Sequence, residues 1–480
     1  MSKKERTKRI PTLFEALSIL VVMAALFSCG SIFGMNYVPL MVAVSGYSVF
    51  IAWRCGYSWK EMEKVINARI GRAVPVLSLF LCVGMLVGAL IYCGTIPMLI
   101  YYGTKLISAK WLYVCAFLVC SAFSLLTGTS NGSVCTAGLA MISIGAAMPG
   151  INVGLLAGAI IGGSIIGDKL SPLSDTTLMA AAVTDNDVYA HVRHQSLVVI
   201  PAAVITLILY FGIGLFSSGG ASAASQTSLA MQSSFESLYK FNFILLLPVI
   251  FVVVGIVAKI PVVPTLIGAS ALGLALGICY QGFNAADGVK VLYEGFKCKM
   301  AAAGNPGLDL KSISAETLNI LERGGMTSMT KPFFCVFICF FFSATAELCG
   351  SLKVLLDMMS KFITNTLTLV LSTGFAMILM EMLCGASAPA CSLAGSLFKD
   401  KYEQMGLSSL NLSREIEDWG TGSTAFIPWS SSGLLYASVL GVGNMTLLRY
   451  TFFAWLVWII SLVYAATGKC IKKYEPAEAA

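Results

Sequence analysis

The segment Gly167-Asp168-Lys169-Leu170-Ser171-Pro172-Leu173-Ser174-Asp175-Thr176-Thr177 sets two carboxylates, a lysine and four hydroxyls directly after an unbroken apolar run. It leads straight into Leu178-Met179-Ala180-Ala181-Ala182-Val183. A charged side chain at the centre of a bilayer costs about 2.5–3.5 kcal/mol on insertion scales. Side chains of these types at membrane depth would be selected against unless they faced a wet, protein-lined path. Carbonyls freed by the helix-stopping Pro172, together with Asp168, Ser171, Ser174, Asp175 and Thr176, could coordinate a cation, and a carboxylate there could carry a proton. Taken alone, the same segment reads equally well as a solvated loop between two helices at the membrane surface.

A second stretch has the same character. Ile427-Pro428-Trp429-Ser430-Ser431-Ser432-Gly433 is another proline-broken, hydroxyl-rich segment within apolar sequence, bringing Ser430 and Ser431 forward as candidates. Two short glycine-rich interruptions, 127–133 and 384–389, suit broken helices or re-entrant hairpin tips, and they offer Ser130, Asn131 and Ser387. Glu381 lies just before the second tip within Met377-Ile378-Leu379-Met380-Glu381-Met382-Leu383, where a buried carboxylate could pick up protons or simply pair. His191 and His194, beside Arg193, read as surface residues. Gly128-Thr129-Ser130-Asn131-Gly132 fits the nucleophile-elbow pattern, but that pattern needs a preceding strand and a soluble sheet, and neither is indicated. No P-loop pattern occurs, so the sequence points to no ATP-driven step.

The elements that must position these residues follow from composition. Of 480 residues, 57% are hydrophobic and only 11% charged, and mean hydropathy is +0.83, too apolar for a soluble surface. Apolar runs recur at roughly 12–33, 36–53, 73–102, 107–126, 133–167, 196–217, 241–283, 332–349, 362–384, 423–442 and 449–467. The backbone must satisfy itself in lipid, so these runs predict an all-α, polytopic membrane bundle of about eleven to thirteen helices. The fifteen cysteines are scattered through the spans without a CxxC pair and read as small buried hydrophobes. Gly154, Gly158 and Gly162 make a helix-packing stripe.

Two blocks repeat. Gly128, Ser130, Ala137 and Gly138 recur 257 positions on, as Gly385, Ser387, Ala394 and Gly395. Pro172, Ser174, Leu178, Ala181 and Val183 recur 256 positions on, as Pro428, Ser430, Leu434, Ala437 and Val439. This offset predicts a duplication, with repeat one at about 73–217 and repeat two at about 332–467, within a single transporter domain spanning 1–480. The intervening residues do not match, since 139–167 is apolar and 396–422 largely polar. Basic residues before the first run, at 54–72 and at 469–473 put both termini and the 54–72 loop in the cytoplasm. The lysine-bearing stretch 284–331 reads as a cytoplasmic connection between the halves, and 218–240 as a Ser- and Ala-rich loop. These basic clusters abut spans, which argues against nucleic acid as a partner.

Gly167 to Thr177, followed by His191-Val192-Arg193-His194, closely resembles the signature of NhaC-type sodium/proton antiporters. Gly94-Thr95-Ile96-Pro97, Arg323-Gly324-Gly325-Met326, and the stretch from Leu412-Ser413-Arg414 through Ile427-Pro428-Trp429 agree in the family's order. The resemblance spans nearly the whole chain. It implies an ion-transporter fold with two inverted repeats in the cell's inner membrane, exchanging Na+ for H+ with no enzymatic step, no cofactor and no metal beyond the transported Na+. By motif position Asp168, Ser171, Ser174, Asp175 and Thr176 would hold the cation and proton. A homodimer is compatible with it. The family also includes exchangers coupled to malate and lactate. Leu178 stands where the family commonly has Asn, Ser430-Ser431-Ser432 where it has Asn-Thr-Cys, and Cys384-Gly385-Ala386 where it has Ser-Gly-Thr. These departures keep open an H+- or Na+-coupled organic-acid or amino-acid transporter.

Overall fold

Helices of bilayer length dominate the computed structural model, which describes residues 7–33, 35–148, 150–216, 232–258, 260–303, 313–351, 354–355 and 362–474. Residues 218–231 of the Ser- and Ala-rich stretch therefore lie outside the described residues. In chain order the helices used below are α1 (Leu13–Ile32), α2 (Tyr37–Arg54), α3 (Trp59–Tyr92), α4 (Thr95–Leu106) and α5 (Leu112–Thr127). α6 is the run 130–146, interrupted by a π turn at Val134–Gly138. α7 (Val153–Leu170), α8 (Asp175–Val183), α9 (Val188–Phe216), α10 (Leu247–Val257), α11 (Val262–Cys279) and α12 (Ala285–Glu294) follow. The rest are α13 (Thr330–Leu348), α14 (Thr366–Cys384), α15 (Ser387–Gln404), α16 (Ser409–Ser423), α17 (Ser431–Leu440), α18 (Asn444–Tyr450) and α19 (Phe452–Thr467). Among the described residues seven helices are long and apolar enough to cross a membrane, or nine if two sharply bent pairs each count as one span. Three shorter apolar helices, Leu13–Phe27, Leu112–Thr127 and Phe452–Thr467, account for part of the larger number read from sequence.

Local chemistry explains where the chain breaks. α1 and α3 start with capping boxes, Thr12 with Glu15 and Ser58 with Glu61. α5 and α14 both end on a left-handed glycine, Gly128 at φ 67° and Gly385 at φ 68°. Each is followed by one extended residue, Thr129 or Ala386, before a new helix begins. Only glycine enters the left-handed region freely, so the two tips turn identically at the repeated positions. α7 ends at Ser171 and restarts at Asp175, while α16 passes through a 3-10 turn, Thr424–Phe426, and restarts at Ser431.

The two hairpins point in opposite directions. The backbone N–H of Asn152, at the head of α7, donates to the Tyr113 hydroxyl at the head of α5 (3.0 Å), so these helices run parallel and their shared far end carries the first tip. In the second half the head of α16 meets the turn after α8, with Ser409 donating to Asn186 at 3.1 Å, and Ser408 bonds the chain at Lys472. The first hairpin opens instead beside 441–450, where Asn152 reaches Tyr450. The tips meet in the middle, where Tyr436 donates to Ser130 and the Ser431 N–H to the Gly385 carbonyl.

The described terminal residues and the 54–72 loop share one end of the bundle. Arg9 bonds Cys55, and Lys8 pairs with Glu61. The α1–α2 turn at Met35 and Asn36 shares a cavity with Gly443 and Asn444, at the opposite end from Lys472. The described part of 284–331 packs at that opposite end too: Val291 and Gly325 rest on Gly88 and Gly84, late in α3. The expectations that 54–72 and 284–331 both face the cytoplasm therefore exclude each other. Lys290 and Lys299 sit on short helical segments of this stretch, so a count of its lysines alone does not report a side.

The glycine stripe of α7 faces 446–453. A Cβ on Gly158 would sit 2.3 Å from the Tyr450 carbonyl oxygen, a backbone atom that cannot swing aside. Gly158→Ala is expected to cost about 1–3 kcal/mol, as overpacked cores do. A thermal-unfolding scan in detergent checks it, and an unchanged melting temperature would show that the α7–α18 contact is looser than described here.

Candidate ion site

Where the two tips and the two helix breaks converge lies a cavity of about 520 Å³. Ser130 and Asn131 come from the first tip, Ser387 from the second, Asp168, Asp175 and Thr176 from the first break, and Ser431 from the second. Segments far apart in the chain thus reach one place because each repeat ends its helices there. Thr421, Thr424 and Arg69 add to the polar wall.

Asp168 ends α7 and is 8% exposed. Its Oδ1 accepts from the Ser130 N–H at 3.1 Å and from the Ser174 hydroxyl at 3.4 Å. Thr177 bonds its carbonyl. Asp175 opens α8, its Oδ1 accepting from the Thr176 N–H at 3.1 Å, and its side chain faces the cavity. The Asn131 Oδ1 is buried with no hydrogen-bond partner. Carboxylate, amide and hydroxyl oxygens are the donors a hard cation prefers, and an orphaned acceptor costs free energy until something is bound to it. Arg69, bonded to Ser343 at 2.8 Å and paired with Glu347 at 3.0 Å, adds a positive charge at the cavity's edge.

Four predicted residues stand apart from the cavity lining, and one of them, Ser174, reaches it only through its bond to Asp168. Ser171 accepts from the Leu173 N–H at 3.4 Å within the break, and Ser430 caps α17 by accepting from the Gly433 N–H at 2.9 Å. Glu381, fully buried on α14, accepts from Ser423 through Oε2, while its Oε1 has no partner. Ser423 lines a second, larger and mostly apolar cavity of about 870 Å³ that holds Asn36, Trp429 and Asn444 at the other end of the bundle. The segment 423–429 is the wall between the two cavities: Thr424 faces the first, Ser423 and Phe426 the second.

The polar stretch 396–422 proves to contain the most thoroughly buried charged helix. Residues 411–423 of α16 are all buried, with Arg414, Glu415, Glu417 and Asp418 at 0% exposure. Lys169, also at 0%, turns away from the cavity to the Glu417 carbonyl (2.6 Å) and the Asp418 carboxylate (3.6 Å). Arg414 pairs with Glu415 at 2.9 Å, and Gln195 bonds Asp418. His191 and His194, expected at the surface, are buried against this helix. His191 Nε2 lies 2.5 Å from Glu417 Oε2, and its Nδ1 lies 2.7 Å from the Ser413 hydroxyl. Their apolar surroundings come from other helices, so local sequence hid them. The signal that was present is spacing: His191 with Gln195, and Arg414 with Glu417 and Asp418, each fall on one helical face.

Residues 163–469 match the Na+/H+ antiporter family. Over 476 residues the chain is 32% identical to an uncharacterized Na+/H+ antiporter of Haemophilus influenzae, covering 99% of this chain and 100% of that one. It is 32% identical to the malate-2H+/Na+-lactate antiporter of Bacillus subtilis, with 96% of each chain covered. The Na+/H+ antiporter NhaC of Alkalihalophilus pseudofirmus is 29% identical over 96% of this chain and 97% of its own.

Proposed function

The chain belongs to the Na+/H+ antiporter family, and from that premise we propose that it exchanges Na+ or Li+ for H+ as a multi-pass secondary transporter of the cytoplasmic membrane. The observation that carries this reading is the meeting of two carboxylates with opposed hairpin tips in one polar cavity. Asp168 and Asp175 hold either the cation or the proton, because the charge that attracts Na+ is removed by protonation. Ser130, Asn131, Thr176, Ser387 and Ser431 contribute neutral oxygens, and Ser174 positions Asp168. Ser171 and Ser430 act one step back, by holding the two helix breaks. Repeat one, at about 73–217, and repeat two, at about 332–467, supply matching halves of the site. The terminal basic clusters support a cytoplasmic side for both chain ends. The polar cavity then opens inward and the apolar one outward. Exchange follows if the wall at 423–429 yields only when the site is occupied, and Glu381, behind that wall, shuttles a proton across it.

Proteoliposomes carrying an imposed pH gradient test this. Na+ or Li+, but not K+, should collapse the gradient; sealed and occupied vesicles that respond to no cation would remove the proposal. A second reading draws on the Bacillus subtilis relative, and on a cavity far roomier than one ion needs with Arg69 at its edge. It predicts no proton signal in the same vesicles until malate, lactate or an amino acid is added.

A further inference from the structure

The apolar cavity of about 870 Å³, on the far side of the 423–429 wall, has a mouth and a floor of different character. Its mouth is made where helices begin and end: Met35 and Asn36 in the α1–α2 turn, Gly443 and Met445 at the head of α18, and Lys331 in the first turn of α13. These residues are exposed, Met35 by 50% and Met445 by 61%. The floor is buried and aromatic, with Phe27, Phe426, Trp429 and Trp458 each at 8% exposure or less. The cavity thus runs from the end of the bundle down to the broken segment between α16 and α17, along the direction a lipid chain takes in a bilayer.

Water is a poor filling for it. Trp429 Nε1 donates to the Met382 carbonyl at 2.8 Å, and Trp458 Nε1 to the Asp418 carbonyl at 3.0 Å. The Asn444 amide donates to the carbonyls of Ala425 and Gly433, both at 3.0 Å, and Ser423 donates to Glu381. With these donors spent on the protein itself, a water on the floor lacks the two to four polar partners, roughly, that hold one in place. An apolar chain suits the space instead. The volume lies within the range of roughly 300–1,000 Å³ typical of small-molecule sites, which favours one chain over a two-chain lipid. Charge then selects the head. Lys331 is the one charged residue among the described residues that line the cavity, and no carboxylate lines it beside the lysine. The aromatic rings alone would also suit a cation, but an ammonium at the rim repels one and attracts an anion.

We infer that this cavity binds a single-chain carboxylate, a long-chain fatty acid anion, with its head at Lys331 and its chain end against Phe426 and Trp429. The chain lies against the 423–429 segment, which must yield for exchange, so the occupied cavity holds that segment shut. Binding stands without the antiport reading; the block of transport rests on it.

Dodecanoate carrying a diazirine at its chain end tests the site, with the full-length protein in nanodiscs of a neutral lipid. Illumination should label 423–429 and 434–438, located by mass spectrometry of the peptides, and excess dodecanoate should suppress the label. Dodecanol, with the same chain and no charge, should compete less well. Lys331→Gln, at an exposed position, should weaken competition by dodecanoate about two- to five-fold, the size of an exposed charge pair, and leave dodecanol unchanged. Label spread evenly over the helices, or undiminished by excess dodecanoate, overturns the site. Equal competition by dodecanol, or dodecanoate indifferent to Lys331→Gln, overturns the anionic head. Displacement by phosphatidylglycerol as readily as by dodecanoate overturns the single chain. The block is read in vesicles as exchange of 22Na+ for unlabelled Na+ at equal pH on both faces, which a fatty acid carrying protons through the lipid does not alter. Saturating dodecanoate should slow this exchange at least several-fold. Unslowed exchange overturns the block and leaves the labelled site standing. Wild-type vesicles without any Na+ exchange overturn the antiport reading and the block with it, and again leave the labelled site standing.

Discussion

Asp168→Asn is expected to abolish Na+-driven proton movement while leaving the protein folded. The asparagine Oδ1 can still accept from the Ser130 N–H and the Ser174 hydroxyl, so the join between the first tip and the end of α7 survives. What is lost is the charge. A neutral amide neither takes up a proton near neutral pH nor balances a bound Na+. Removing one partner of a buried charged interaction costs about 3–5 kcal/mol, which corresponds to roughly 150- to 4,000-fold in binding or rate. Initial proton flux per reconstituted molecule, and 22Na+ binding to the same preparation, should therefore both fall at least about 100-fold. Wild-type flux in a folded Asp168→Asn protein would mean that Asp175 serves alone and that Asp168 only pins the tip.

Much of this site could be read in the sequence because its features are local. The tips at Gly128 and Gly385 announce themselves as glycines among hydroxyls. The breaks at 171–174 and 427–430 contain prolines, and the common offset ties the two halves together. Asp168 and Asp175 stand out because the only other charged residue between 167 and 177 is Lys169, of opposite sign. What stayed hidden depends on partners distant in the chain. Residues 396–422, which include α16, read only as a largely polar stretch, with four of the five residues from Arg414 to Asp418 charged. α16 is buried because His191, Gln195 and Lys169, more than 200 positions earlier, arrive to pair with it. Ser171 and Ser430 were singled out for their hydroxyls, but those hydroxyls are taken by the backbone at the breaks. No spacing rule distinguishes a serine that caps a helix from one that faces an ion.

Lys169→Ala should have the opposite signature from Asp168→Asn, although the two positions are neighbours. Lys169 is fully buried, and its ammonium sits between the Glu417 carbonyl and the Asp418 carboxylate. Around α16 three carboxylates, Glu415, Glu417 and Asp418, face two fixed positive charges, Arg414 and Lys169. Deleting Lys169 leaves the excess of buried negative charge larger, with no water to screen it. The expected loss is about 3–5 kcal/mol of stability, seen as a lower melting temperature and a smaller monodisperse fraction in detergent. Lys169→Met combined with Asp418→Asn removes one charge of each sign and keeps the volume filled, so it should recover much of the loss; Gln195 can still bond the amide at 418. If Lys169→Ala melts like the wild type yet transports nothing, the ammonium belongs to the ion site and not to the scaffold. Two adjacent side chains at the end of one helix then divide the work by the faces they occupy: Asp168 turns to the polar cavity, and Lys169 turns to the buried helix that holds the cavity's wall in place.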